Sequence, residues 1–299
     1  MKKKNNIKVR IGLLIIILGL VTVLYPLTAM TYNDMMATHR MNEYKEFVGS
    51  MSKEDITEIM DKAGAYNNRA NASTDDVVDP FEVKNYSAVN PLDYGEGEVF
   101  AYISIPKIDQ YLPIYLGASQ YHLSLGVGQL DGTDMPVGGK STRSVLTGHR
   151  GGVNQLFFRH LDKMEVGDVI TIDVFDKKLE YEVYGMDVIK PTDYEKLAVI
   201  SNEDVITLLT CDPYVTATHR MIVNAKRIEH DKDVVSHEEP VVDEGIKNSN
   251  TNQMTPYNQT SDRVILEKRI IKGLMALIIV FLIVVLIKFL RTFNKGKNI

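Results

Sequence analysis

The sequence predicts a mainly β domain, a barrel of short strands with helices on its N-terminal side, held between two membrane-spanning helices. Three observations carry this expectation. Ile11 to Met30 is almost purely apolar and follows Lys2, Lys3, Lys4, Lys8 and Arg10. Gly273 to Ile287 has no polar side chain and is bounded by Lys272 and Lys288. Between them, short runs such as Phe100 to Ile105, Val169 to Val174 and Leu179 to Tyr184 show period-2 alternation or β-branched enrichment, with no long helical pattern separating them. A doubly wound sheet would need such helices; a closed barrel does not.

Taken in order, residues 1–10 form a basic tip and 11–30 an anchor of about the ~20 residues that cross a ~30 Å hydrocarbon core. A cleaved signal peptide competes with this reading, but the run is long for one and no small-x-small cleavage site follows it. Residues 31–70 read as helical, because Ala37, Met41, Tyr44, Val48 and Met51 recur at helical spacing with Phe47 beside them. Ser52 resembles an N-cap that restarts a helix through Ile56, Ile59 and Met60. From 71 to 96 the period is lost to Asn, Ser, Asp, Pro and Gly, and Asp79, Pro80 and Phe81 put an aromatic side chain into this polar loop. Residues 97–230 hold the strand signals, punctuated by Gly126, Gly128, Gly132, Gly138 and Gly139. An acidic and polar linker is expected over 231–269. The second span is expected over 270–290, where Lys272 and Lys288 can snorkel, followed by a basic tail over 291–299. Basic residues at both tips place both termini in the cytoplasm and the middle outside, a two-pass protein of the cell membrane.

The net charge of −5 argues against a nucleic-acid partner. Cys211 is the only cysteine, so an internal disulfide is excluded and the thiol is paired with another chain, inert, or reactive. Its surroundings favour reactivity. Cys211 ends an apolar run from Val205, is followed by Asp212, Pro213 and Tyr214, and precedes Thr218, His219 and Arg220. Upstream, His149 lies in a Thr-Gly-His-Arg-Gly segment. A thiol is a weak nucleophile at neutral pH until an imidazole removes or shares its proton, and that imidazole can later protonate a leaving amine. An arginine fork beside the thiol can hold the oxyanion of an attacked carbonyl. His219 is an alternative base, but strand neighbours point to opposite faces, so His219 and Arg220 do not both enter one site.

At these residues the chain resembles the sortases, membrane-anchored cysteine transpeptidases of Gram-positive bacteria. The resemblance rests on six segments in the family's order: 102–106, 112–115, 135–139, 147–151, 207–211 and 218–220. It implies an eight-stranded β-barrel with His149, Cys211 and Arg220 as the catalytic set. It further implies attack on the Thr–Gly bond of an LPxTG-like sorting signal and resolution of the thioacyl enzyme by an amine. Asp79, Pro80 and Phe81 are similar to the lid of the pilus-assembling class C sortases, in which Asp79 would approach Arg220 and Phe81 would pack over Cys211. The implied partners are pilins or surface proteins with C-terminal sorting signals, with a lysine amine of another pilin as acceptor. No cofactor or metal ion is called for.

The chain departs from the family pattern at Asp212, at Val215, Thr216 and Ala217, and at Gln129, where a histidine is often seen. Asp212 is expected to disfavour thiolate and favour imidazolium, raising both pKa values. Three other functions compete. A cell-wall anchoring sortase would use a peptidoglycan precursor amine, and an inactive tethered scaffold would only bind pilins. A papain-like protease is weaker, because its cysteine should open a helix.

Overall fold

The computed structural model describes residues 2–70, 77–83, 92, 94–95, 97–152, 155–214, 216–229 and 259–294. The chain starts with helix α1 (Lys2–Ser50), which runs unbroken past Pro26. Helix α2 (Lys53–Ala70) follows, opened by Ser52, whose Oγ accepts from Asp55 N at 3.0 Å. The strands are β1 (Ala101–Ile105), β2 (Gln110–Tyr115), then the short helix α3 (Gln120–Leu125), β3 (Val127–Gln129), β4 (Thr142–Thr147), β5 (Val169–Val174), β6 (Lys177–Ile189), β7 (Asp204–Asp212) and β8 (His219–Arg227). Helix α4 (Asp262–Asn294) ends the described chain. It begins well ahead of Ile270, so the last part of the 231–269 segment is helical; residues 230–258 lie outside the described residues.

The eight strands close into a barrel in the order β1-β2-β3-β4-β7-β8-β6-β5, with β5 pairing back onto β1. Its interior is filled by the apolar side of the alternation, including Ile103, Ile105, Ile114, Ile172, Tyr181, Leu208 and Val223. Each such side chain contributes about 1.5–3 kcal/mol on leaving water. The N-terminal helices dock on this core through polar as well as apolar contacts. Tyr44 of α1 donates to Phe100 O at 2.8 Å and accepts from Phe175 N at 3.0 Å. Asn67 of α2 exchanges two hydrogen bonds with the backbone of Met135.

Two helices, α1 and α4, are long and apolar enough to cross a membrane. Their large apolar side chains, such as Leu14, Leu18, Leu277 and Val280, are exposed on the protein surface. The pair is antiparallel. Arg10 donates to Thr292 O and lies over the Phe293 ring at one end. At the other end Lys268 reaches Asp34 and Asp109, each at 2.6 Å. The two clasps lie 24 positions apart on each helix (Arg10 to Asp34, and Lys268 to Thr292), roughly 36 Å, enough for a ~30 Å core.

One feature of the barrel decides where chemistry is possible. Strands β4 and β7 are parallel, with Thr147 opposite Leu209, so their C-terminal ends emerge on the same rim. Two residues further on, these strand ends bear His149 and Cys211. Strand β8 returns antiparallel to β7 and places Arg220 opposite Cys211 and His219 opposite Asp212. His149 is thus brought from a distant part of the sequence to the rim that carries Cys211 and Arg220 by strand direction alone.

Candidate active site

The segment around His149 is held by close approach of its neighbours. Gly148 N donates to Leu209 O at 3.1 Å, and Thr210 Oγ1 donates to Gly148 O at 2.7 Å, which extends the β4–β7 pairing to the edge of the site. A β-carbon on Gly148 would stand 3.0 Å from Phe158, whereas one on Gly151 would meet Arg159 and Tyr214 at ordinary contact distance. Gly151 also has φ +90°, a conformation that favours glycine. Gly148 is thus explained by packing and Gly151 by its backbone conformation, and together they let the following loop fold back onto the histidine. Phe158 N donates to His149 O at 3.1 Å and the Phe157 ring lies 6.4 Å from the imidazole.

Arg150, next to His149, turns toward β7. Its Nη1 donates to Cys211 O at 3.3 Å and pairs with the Asp212 carboxylate. The unusual Asp212 is therefore occupied with Arg150. The expectation that it would raise both the thiol and imidazole pKa values is corrected on one count and explained differently on the other. Burial pushes the Cys211 thiol up, and the Asp79 carboxylate adds to that, while the guanidiniums of Arg220 and Arg150 oppose it. The His149 imidazole is pushed down, again by burial. Both shifts favour a neutral thiol beside a neutral imidazole.

What covers it is the turn formed by Asp79, Pro80 and Phe81. Asp79 is buried, and its carboxylate accepts from Arg220 Nε at 2.5 Å. Its second oxygen accepts from Phe81 N at 2.8 Å, which folds the turn back on itself. Gln120 of α3 donates to Pro80 O at 2.9 Å. The Phe81 ring sits 5.5 Å from the His149 ring and 5.5 Å from the Arg220 guanidinium. Phe81 also packs on an apolar cluster that contains Val77 of its own segment with Leu130, Ile189, Leu197 and Leu209 of the barrel. Residues 71–76, 84–91, 93 and 96 of the expected lid loop lie outside the described residues.

Arg220 is buried and keeps further partners, donating from Nη1 to Ala217 O and His219 O at 2.8 Å each. His219 is exposed on the opposite face, with its Nδ1 3.0 Å from Thr218 Oγ1. Gln129 is buried and bonds the backbone of Leu130 and Thr133, a bracing task within the barrel. Of the other histidines, His39 is exposed and pairs with Glu43, His122 stacks on Tyr115, and His160 is buried beside Glu267; His230 and His237 lie outside the described residues. Among the described residues, no cluster of His, Cys, Asp and Glu could hold a metal ion. Sequence reasoning missed the tasks of Arg150, Arg159 and Tyr214. The Arg in the Thr-Gly-His-Arg-Gly segment was the one available signal.

Comparison with known proteins agrees with this geometry. Residues 103–228 match the model of the Sortase domain. Among curated proteins, Sortase SrtE1 of Streptomyces coelicolor is 32% identical over 154 residues, covering 47% of this chain and 43% of that one. Putative sortase YwpE of Bacillus subtilis is 31% identical over 84 residues, covering 81% of its own length. The chain thus spans less than half the length of the Streptomyces protein. Among solved structures, Sortase C of Streptococcus pneumoniae superposes with a TM-score of 0.60 at 36% identity, over 64% of this chain and 97% of that one. Sortase C1 of GBS Pilus Island 1 gives 0.57 at 37% identity, over 67% and 95%. With its barrel, its rim of Cys211, His149 and Arg220, and these relatives in agreement, the chain belongs to the sortase family of cysteine transpeptidases, and its structural neighbours are the class C, pilus-related sortases.

Proposed function

We propose that this protein is a membrane-anchored pilus-assembling transpeptidase that cleaves an LPxTG-like sorting signal between Thr and Gly and transfers the Thr acyl group to a lysine amine of a pilin. The observation that carries this reading is the Asp79–Arg220 pair, with Phe81 on the His149 ring, over a rim where Cys211 faces Arg220. An arginine positioned beside the thiol and capped by a removable carboxylate is suited to a substrate whose charge develops only during reaction.

The steps follow from the residues. The turn lifts, and Val77 and Phe81 leave an apolar patch of Leu130, Ile189, Leu197 and Leu209, which the Leu and Pro of the signal can fill. His149 takes the Cys211 proton, and the thiolate attacks the Thr carbonyl carbon. The oxyanion forms beside Arg220, which no longer faces Asp79. The C–N bond breaks, and His149 gives its proton to the departing Gly amine, leaving a thioester on Cys211. The lysine amine then attacks that carbonyl and loses a proton to His149, the C–S bond breaks, and the proton returns to the Cys211 sulfur. His149, Cys211 and Arg220 are the catalytic residues of this proposal; Asp79, Pro80 and Phe81 are its lid.

The antiparallel α1–α4 pair supports two spans with both termini on one side, and the basic tips put that side in the cytoplasm. The barrel then works outside the membrane. The pneumococcal Sortase C is described together with pilin substrate specificity, which favours the pilin acceptor for this chain as well.

The test is intact mass of the full chain in detergent after incubation with an LPxTG-type peptide, with Cys211→Ala as control. An adduct of the peptide's N-terminal part that requires Cys211 is expected, and it should increase in Phe81→Ala. Absence of an adduct in both lid states across a panel of motifs would favour a binding scaffold. With an adduct in hand, pilin ladders support the lysine acceptor, whereas transfer only to a peptidoglycan-type amine would support wall anchoring.

A further inference from the structure

The base of α4 touches the loops that carry the site. Glu267 of α4 accepts from Arg159, with Nε to Oε1 at 3.1 Å, and its other oxygen lies 3.4 Å from His160 Nε2. Arg159 belongs to the loop that leaves His149. Its guanidinium carbon sits 5.3 Å from the centre of the Tyr214 ring, and its Nη1 donates to the Tyr214 hydroxyl at 3.4 Å. Tyr214 belongs to the loop that follows Cys211. Arg159 is therefore the meeting point of the second apolar helix, the histidine loop and the cysteine loop. Gly151 lies at this junction, where a β-carbon would be in ordinary van der Waals contact with both Arg159, at 3.4 Å, and Tyr214, at 3.5 Å.

The neighbouring Phe158 closes the path to the histidine through its backbone bond to His149 O and its ring against Gly148. On the other side, Lys268, adjacent to Glu267, is fixed to Asp34 of α1 and to Asp109 of the β1–β2 connection. Glu267 is thus held in register with the barrel by the next residue along the chain. The carboxylate is fixed at one end and grips a loop at the other. Glu267 and Arg159 are each about one-third exposed, so their pair contributes little stability by itself. Its effect is one of geometry. Displacing a reacting group by about 1 Å can lower a rate by about 100-fold.

We infer that Glu267 and Arg159 are positioning residues, through which the juxtamembrane end of the second span sets the His149 and Cys211 loops in reactive register. The inference rests on the transpeptidase reading above and assigns it a dependence on α4. In this arrangement the second span does more than anchor: it completes the rim. A barrel cut free of α4 retains its fold and its thiol but holds the two loops more loosely.

The experiment uses the full chain in detergent micelles, in a Phe81→Ala background so that opening of the turn does not limit the rate. Single-turnover acylation by an LPxTG-type peptide is followed by intact mass over a range of peptide concentrations. Glu267→Ala and Arg159→Ala are each expected to lower the maximal acylation rate about tenfold, within the range that misplacement produces. The peptide concentration at half-maximal rate should stay within about twofold, because neither residue lies in the apolar patch. The double variant should lose no more than either single one, as residues acting through one contact do. Glu267→Gln, which keeps the length and an acceptor oxygen, should recover a large part of the rate and so separates positioning from misfolding. An unchanged maximal rate in both single variants would overturn the inference, as would losses that add or a change confined to the half-maximal concentration. If the parent chain forms no Cys211-dependent adduct, the transpeptidase reading fails and this inference falls with it; if the parent acylates normally and the variants match it, only the inference falls.

Discussion

Two aspartate–arginine pairs lie beside Cys211, and their chemistry is the same while their attachment differs. Asp79–Arg220 joins a turn outside the sheet to strand β8, and both side chains are buried, at 5% and 3% exposure. Arg150–Asp212 joins the ends of two neighbouring parallel strands and is wetter, at 12% and 20%. When the turn carrying Asp79 lifts, its carboxylate returns to water and Arg220 still holds Ala217 O and His219 O. Neither charge is then left buried and alone, which is the condition that makes breaking a buried pair costly. Arg150 and Asp212 have no such exit, because both are fixed to strand ends. The first pair is built as a latch and the second as a brace. Burial alone would have ranked them the other way.

The largest expected effect separates the two functions of Arg220. Arg220→Ala and Asp79→Ala both release the latch, so both should expose the turn to limited proteolysis. Only Arg220→Ala should lower maximal acylation, by about 10²–10³-fold, the usual cost of removing an oxyanion donor. Equal acylation in the two variants would mean that Arg220 serves the turn alone. Next in size, Asp79→Ala is expected to raise the initial acylation rate at least about tenfold, the gain available when an open state is populated at 10% or less. Asp212→Asn should give no such gain, since the brace does not cover the thiol.

The pH dependence of alkylation of the single cysteine tests the pairs with opposite signs. Asp79 raises the Cys211 pKa and covers it, so Asp79→Ala should move the alkylation midpoint to lower pH. Arg150 lowers that pKa, so Arg150→Ala should move the midpoint to higher pH. Shifts in the same direction would show that loosening of the rim, rather than charge, controls the thiol. The smallest expected effect is on stability. Asp212→Asn should lower unfolding free energy by about 1 kcal/mol, between the exposed and buried limits for ion pairs, as read from the urea midpoint.

The barrel was legible because its strands alternate. Val169 to Val174 and Leu179 to Val183 put every second side chain inside, and the pattern survives in the observed burial. The restart of the helix at Ser52 was legible from one capping residue. The extent of α4 was not, because Asp262 to Arg269 carries five charged residues around the short run Val264, Ile265 and Leu266 and resembles the end of a linker until Glu267 and Lys268 find Arg159 and Asp109 on the barrel. The same limit applies at the site. Cys211 and Arg220 stand out by residue type and by the strand alternation that excludes His219, whereas Asp212 by itself reads as a charge next to a thiol. Only Arg150, brought alongside by parallel pairing of β4 and β7, turns it into a brace, and burial of the imidazole, which no local pattern shows, sets the direction for His149.

The sequence by itself determined the two apolar helices, the alternating strands and the single thiol, since these depend on composition and on periods of two and 3.6 residues that act locally. The tertiary structure decided which charges meet: Arg220 with Asp79 across 141 positions, Arg150 with Asp212 across 62, and Glu267 with Arg159 between a span and a loop. Ion pairing has no sequence period. It depends on distance and on the surrounding dielectric, and both are fixed only when the barrel closes.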